Sequence, residues 1–115
     1  MEELKLPTEE YIEVAKNGKS VTRCTLRQKA MHCIGLSAHR NRGRLYTRHG
    51  KKYYRPYRNY FAGNDAELDT LIKAGYMEYH DYKRVGGMQR TYWFNRCGLD
   101  WLGSQLGIVI HDEEN

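Results

Sequence analysis

Between His39 and Arg58 the chain reads HRNRGRLYTRHGKKYYRPYR, which holds eight Lys or Arg, four Tyr, two His and no carboxylate. Cations at this density repel one another until an anion neutralises them, and the interleaved tyrosines add flat faces on which bases or sugars can stack. The chemistry implied is contact with a polyanion, and nucleic acid is the polyanion that uses both kinds of group. The candidate phosphate contacts are Arg40, Arg42, Arg44, Arg48, Lys51, Lys52, Arg55 and Arg58; the candidate stacking residues are Tyr46, Tyr53 and Tyr54. Six to eight phosphate contacts would give a log–log salt dependence with a slope of roughly −5 to −7 on duplex DNA. A second cationic group, Lys83, Arg84 and Arg90, surrounds Gly86-Gly87. It suits either a backbone contact or the edge charges that keep sheets from aggregating.

Charge is segregated along the whole chain. No Asp or Glu occurs from Val14 to Asn64, where thirteen Lys and Arg lie, and acidic flanks bring the net charge to +5. Such a field governs what a protein attracts and says little about its fold. Other chemistries are weakly represented. His32, Cys33 and His39, with Cys24 or His49, match no standard zinc-finger spacing, so no metal is expected. No Ser, Cys or carboxylate has a nucleophile–base pattern and there is no Gly-rich phosphate loop, so neither an enzyme nor a cofactor is expected. Three cysteines at irregular spacings fit reduced thiols in a cytoplasm. There is no apolar run near eighteen residues and no basic-then-apolar leader, so the expectation is a protein that neither spans a membrane nor is secreted.

At 115 residues the expectation is one domain, residues 1–115. Residues 1–7 read as a loose acidic lead-in, 39–58 as a basic insertion and 111–115 as a frayed acidic tail. Thr8, Glu9 and Glu10 followed by Tyr11, Ile12 and Ala15 predict a short helix ending at Asn17-Gly18. Thr25-Leu26-Arg27-Gln28 is a capping-box pattern opening a helix that Gly35-Leu36 stops. Leu45–Tyr54 can form a hairpin around His49-Gly50 or a mobile arm. Tyr57–Phe61 predicts a single helical turn or tight bend, with Tyr60 and Phe61 in the core and Arg58 open to either role. Asn64-Asp65-Ala66-Glu67, with Asn64 as cap, opens a helix that ends at Gly75. Met77 to Phe94 reads as a β-hairpin turning at Val85-Gly86-Gly87, and Asn95 caps a last helix that closes at Gly107.

From about Gly35 to Leu102 the chain resembles a group of small, mostly uncharacterised bacteriophage and prophage proteins. The carrying residues are Gly35-Leu36, Tyr57-Arg58-Asn59-Tyr60-Phe61, Leu68, Leu71, Ala74-Gly75-Tyr76-Met77, the Gly-containing hairpin, and Asn95-Arg96-Cys97-Gly98-Leu99. Asn95 stands where those proteins usually have Thr, and the interval between Leu36 and Tyr57 is longer here. The resemblance implies a phage origin and a compact α+β domain, and supplies no activity.

The element order predicts an α+β, winged-helix-like single domain: three to four helices, a two-stranded β-hairpin as the wing, and the basic insertion. Its recognition helix would expose Asp65, Glu67, Asp69 and Thr70 with only Lys73 cationic, a surface that phosphates repel. The expected function is therefore nucleic-acid binding, DNA or RNA, largely without sequence preference, through the basic segment and the wing. Two alternatives are a phage anti-defence inhibitor, which docks on a host nucleic-acid-processing complex such as a CRISPR nuclease or on the guide or target nucleic acid that it holds, and a virion assembly protein. The oligomeric state is open, a dimer included.

Overall fold

The computed structural model describes residues 4–36, 45–56 and 58–111. Among them the chain forms a strand-rich α+β fold. A first hairpin, β1 (Tyr11–Lys16) and β2 (Lys19–Cys24), leads into helix α1 (Leu26–Cys33). A second hairpin, β3 (Leu45–Arg48) and β4 (Lys51–Tyr54), precedes the short strand β5 (Phe61–Ala62) and helix α2 (Ala66–Lys73). A third hairpin, β6 (Met77–Arg84) and β7 (Gly87–Phe94), is followed by α3 (Arg96–Leu106) and β8 (Val109–Ile110). Three small sheets result, with strand orders β1-β2, β3-β4-β8 and β5-β7-β6.

This overturns the winged-helix expectation: the described residues hold three helices and eight strands rather than three to four helices with one hairpin. The predicted first helix is β1. Tyr11, Ile12 and Val14 favour a strand, and Asn17-Gly18 is a two-residue hairpin turn rather than a helix stop, with φ of 53° and 76°. The Tyr57–Phe61 turn is likewise absent from its described part, because Phe61 pairs with Tyr92 as the start of β5. Asp65, not Asn64, caps α2, accepting from the backbone N–H groups of Glu67 and Leu68. The other helix boundaries stand as predicted. Thr25 caps α1, Asn95 caps α3 through the Gly98 N–H, and Gly107 closes α3 in the left-handed region.

The core gathers Ala30, Cys33 and Ile34 from α1, Leu68 and Leu71 from α2, Tyr92 and Phe94 from β7, and Leu102 from α3, with Tyr54 and Ile110 closing one side. Both ends of the described chain join it. Leu6 is buried, its N–H donates to Gln105 Oε1, and the Trp101 indole donates to the Leu4 carbonyl. Residues 4–7 are therefore seated on α3 rather than loose. Trp101 itself stacks on Tyr76 with centroids 4.6 Å apart. Gly98 permits the close approach of α3 to the bend before β6: a Cβ there would lie 1.8 Å from the Tyr76 carbonyl oxygen. Among the described residues no helix is long and apolar enough to cross a membrane.

Candidate nucleic-acid interface

The basic stretch divides into two parts with opposite orientations. Its hairpin turns at His49-Gly50, both with positive φ (52° and 79°), the geometry of a two-residue hairpin loop. The register pairs Leu45 with Tyr54, Tyr46 with Tyr53, Thr47 with Lys52 and Arg48 with Lys51. Because side chains alternate across a strand, Tyr46, Arg48, Lys51 and Tyr53 share one face, and Leu45, Thr47, Lys52 and Tyr54 the other. The second face is the inner one at its base: Tyr54 is fully buried and its hydroxyl donates to the Ile34 carbonyl at 2.9 Å. Tyr54, a predicted stacking residue, is therefore a core residue.

The hairpin is not an appendage, because β8 pairs with β4 in parallel, Tyr53 against Val109 and Tyr54 against Ile110. The His111 N–H donates to the Tyr54 carbonyl, and its ring joins the outer face. That residue is therefore ordered where a frayed tail was expected to begin; residues 112–115 lie outside the described residues. Tyr46, Tyr53 and His111 form a group of near-parallel rings. Tyr46 and Tyr53 are 5.4 Å apart at 16°, Tyr53 and His111 5.7 Å at 20°, and Tyr46 and His111 6.1 Å at 8°. A 2.8 Å hydrogen bond joins the Tyr46 hydroxyl to His111 Nε2. Arg48 and Lys51 are exposed on the same face and form no ion pair with a described residue. His111 had no sequence signal, since its partners are 58 to 65 positions away.

The second part of the stretch faces inward. Arg58 donates from Nε to the His32 carbonyl at 3.0 Å, covering the C-terminal end of α1. Asn59 accepts from the Phe94 N–H at 2.9 Å and donates to the Phe94 carbonyl at 2.8 Å, standing in for a strand residue at the end of β7. Tyr60 donates its N–H to the Cys33 carbonyl, but its side chain is 53% exposed, not core as expected; Phe61 is half-buried against the core. The Arg58-Asn59 pair is thus a clasp between α1 and β7. The same environment acts on the α1 residues. Burial, with the Arg58 charge adding to it, lowers the His32 imidazole below its ordinary value. Burial pushes the Cys33 thiol up to about 12, with Arg58 opposing, which leaves it a protonated, inert core group.

The other predicted sites are placed as follows. Arg90 lies over the Tyr79 ring, 4.0 Å from its centroid, and donates to Asp81 Oδ1 at 2.7 Å and to Asp69 Oδ1 at 3.1 Å. The Arg90 hydrogen bonds hold the Asp81 carboxyl below its ordinary value. Lys83 and Arg84 are exposed near the β6–β7 turn, Arg84 within 3.4 Å of Gln89 Oε1. Lys52 and Arg55 are exposed, while Arg40, Arg42 and Arg44 lie outside the described residues. The acidic helix face is also not what the sequence suggested. Asp65 and Glu67 hold Lys29 at 2.9 and 2.8 Å, and Asp69 accepts from both Arg90 and the Tyr92 hydroxyl. Burial works to lower the Lys29 ammonium, but the bonds and charges of Asp65 and Glu67 raise it on balance. These carboxylates face the protein's own cations and are half-buried.

A cleft of about 490 Å³ separates the tip of the β3–β4 hairpin, at Gly50 to Lys52, from the end of α3. The C-terminal end of a helix is the negative end of its dipole, which disfavours an anion there. Tyr46, Tyr53, His111 and Arg48 of the outer face do not line this cleft, whereas Lys51 borders both. Among the described residues no group of three or more His, Cys, Asp or Glu side chains is arranged to hold a metal ion. Comparison of the chain with protein-family models, with curated proteins and with solved structures finds no match.

Proposed function

We propose that this protein binds nucleic acid, largely without sequence preference, through the outer face of the β3-β4-β8 sheet. The observation that carries this reading is the pairing of Arg48 with Lys51, both exposed and without carboxylate partners among the described residues, beside the rings of Tyr46 and Tyr53 on one sheet face. Arg55 follows directly after β4, Lys52 stands on the opposite face near the hairpin tip, Arg40, Arg42 and Arg44 precede the hairpin in sequence, and Lys83 with Arg84 offers a lesser second contact. Helix α2 takes no part, since its carboxylates are committed to Lys29 and Arg90. We read the activity as cytoplasmic, in the host cell if the chain is phage-encoded as its resemblance implies. Labelled duplex DNA, single-stranded DNA and RNA titrated at several salt concentrations test the proposal. Micromolar or tighter binding with a steep salt slope supports it, and no binding at ~100 mM salt, where the screening length is about 10 Å, refutes it.

A second reading, an inhibitor that docks on a host nucleic-acid-processing complex, draws on the first hairpin. A two-stranded hairpin is marginal alone, and this one leaves Tyr11, Ile12 and Val21 exposed at 52, 39 and 37%. Ile12, Val14 and Val21 share a face with Lys16 and Lys19, an apolar strip with a basic rim. Co-purification from bacterial lysate with and without nuclease separates the readings: a captured protein that survives nuclease supports the second.

A further inference from the structure

We infer that the ligand is taken as a single strand, with an unpaired base laid against the Tyr46–Tyr53–His111 rings and its phosphate held by Arg48 and Lys51. The inference rests on the nucleic-acid reading above and narrows it. The three rings are near-parallel and fixed from two independent directions, a cross-strand pair within one hairpin and a residue brought in by a parallel strand 65 positions later. The hydrogen bond from Tyr46 to His111 locks their relative orientation, so little ordering is left to be done on binding. Exposed Val109, on the same face as Tyr53, widens the apolar edge of the group.

A base in a duplex has both faces covered by its neighbours, whereas an unpaired base offers one to an aromatic ring. Rings alone would take any flat apolar ligand. The next cross-strand pair on the same face is Arg48 with Lys51, about 7 Å on at two residues per repeat, so cations stand within one nucleotide of the rings. Rings and charges in that order match the two halves of a nucleotide. Helix α2 argues against duplex recognition, because it presents its carboxylates to Lys29 and Arg90 and offers no cationic face that could enter a groove.

Fluorescence anisotropy with four labelled probes of equal length, about twenty nucleotides, decides it at fixed salt: oligo-dT, oligo-rU, a mixed-sequence duplex, and a strand of the same phosphate count made abasic at most positions. The wild-type chain should bind dT or rU roughly tenfold tighter than duplex, and lose roughly tenfold on the abasic strand. Tyr53→Leu should lose a similar factor on the single strands and little on duplex, while Tyr53→Phe should retain affinity, thermal melts confirming that both variants fold. Equal binding of duplex and single strands, or of abasic and dT strands, overturns the stacking inference and leaves nucleic-acid binding standing. No binding to any probe at ~100 mM salt overturns both. Should Tyr53→Leu fail to fold, the abasic arm decides alone, since it needs no variant.

Discussion

The β3–β4 and β6–β7 hairpins both carry cations and aromatics, and both were candidate contacts from sequence, yet they use them differently. In β6–β7 the guanidinium of Arg90 is clamped between Asp81 and Asp69 and covers Tyr79. In β3–β4 the pair Arg48–Lys51 has no carboxylate within reach among the described residues, and the adjoining tyrosines stack with a histidine. The difference comes from what each hairpin packs beside. β7 runs past α2, whose Asp69 is delivered to Arg90, whereas β4 runs past β8, which brings Val109 and Ile110. A cation that has found a carboxylate holds the fold; one that has not remains available to a partner.

The sharpest way to break this contrast is to remove the charges that have no carboxylate partner among the described residues. Replacing Arg48, Lys51 and Lys52 together by Ala should flatten the single-strand salt slope by about 2 and weaken binding on the order of 100-fold at ~0.1 M salt. Denaturant unfolding should move by less than about 0.5 kcal/mol, as for other exposed positions. Loss of stability with no loss of affinity would place these residues with Arg90.

Asn59→Ala attacks the inward half of the basic stretch. It strips partners from both backbone groups of Phe94 and should cost about 2–3 kcal/mol in urea unfolding, with the affinity of the folded fraction unchanged. Lys29→Met leaves Asp65 and Glu67 without their shared cation and should cost about 1–3 kcal/mol by the same measurement, again without changing the salt slope. Arg90→Ala should lower the melting temperature while shifting nucleic-acid affinity less than about twofold; a larger loss would extend the binding face to β6–β7.

The smallest effect concerns His32. Its imidazole is lowered in the folded chain, so the unfolded chain binds the proton more tightly. The stabilisation from the neutral ring is complete above the ordinary value near 6.5 and is lost as pH falls through the folded value. Chemical-denaturation midpoints measured from pH 7.5 down to 5 should decline modestly for wild type and less for His32→Gln.

Local signals were legible and long-range ones were not. Thr25 and Asn95 act where their side chains read as caps, and Gly35, Gly75 and Gly107 take the left-handed conformations that a helix stop needs. The hairpin at His49-Gly50 was one of two readings, and its turn dihedrals decide it. Tyr11–Ala15 was misread because its apolar spacing fits either period, so Asn17-Gly18 served equally as stop or turn. β8 is two residues long, and its pairing with β4 has no local mark, which hid both the third sheet and the role of His111. Arg58 and Arg48 look alike as letters; only the α1 carbonyl beside one distinguishes them. The winged-helix expectation rested on the order helix, short helix, helix, hairpin, terminal helix, and Phe61 begins a strand where the short helix was expected to end.

The parallel pairing of β4 with β8 also sets an order of events in time. Tyr46 and Tyr53 leave the ribosome early, and the ring that completes their group follows 65 positions after Tyr46. Strands so far apart in sequence meet late, because a long loop must close before their contact forms. A chain still being made therefore carries the cations without the finished ring group. On the proposed function, attraction to polyanions would precede the ability to hold a base, and the seating of β8 would complete the proposed surface.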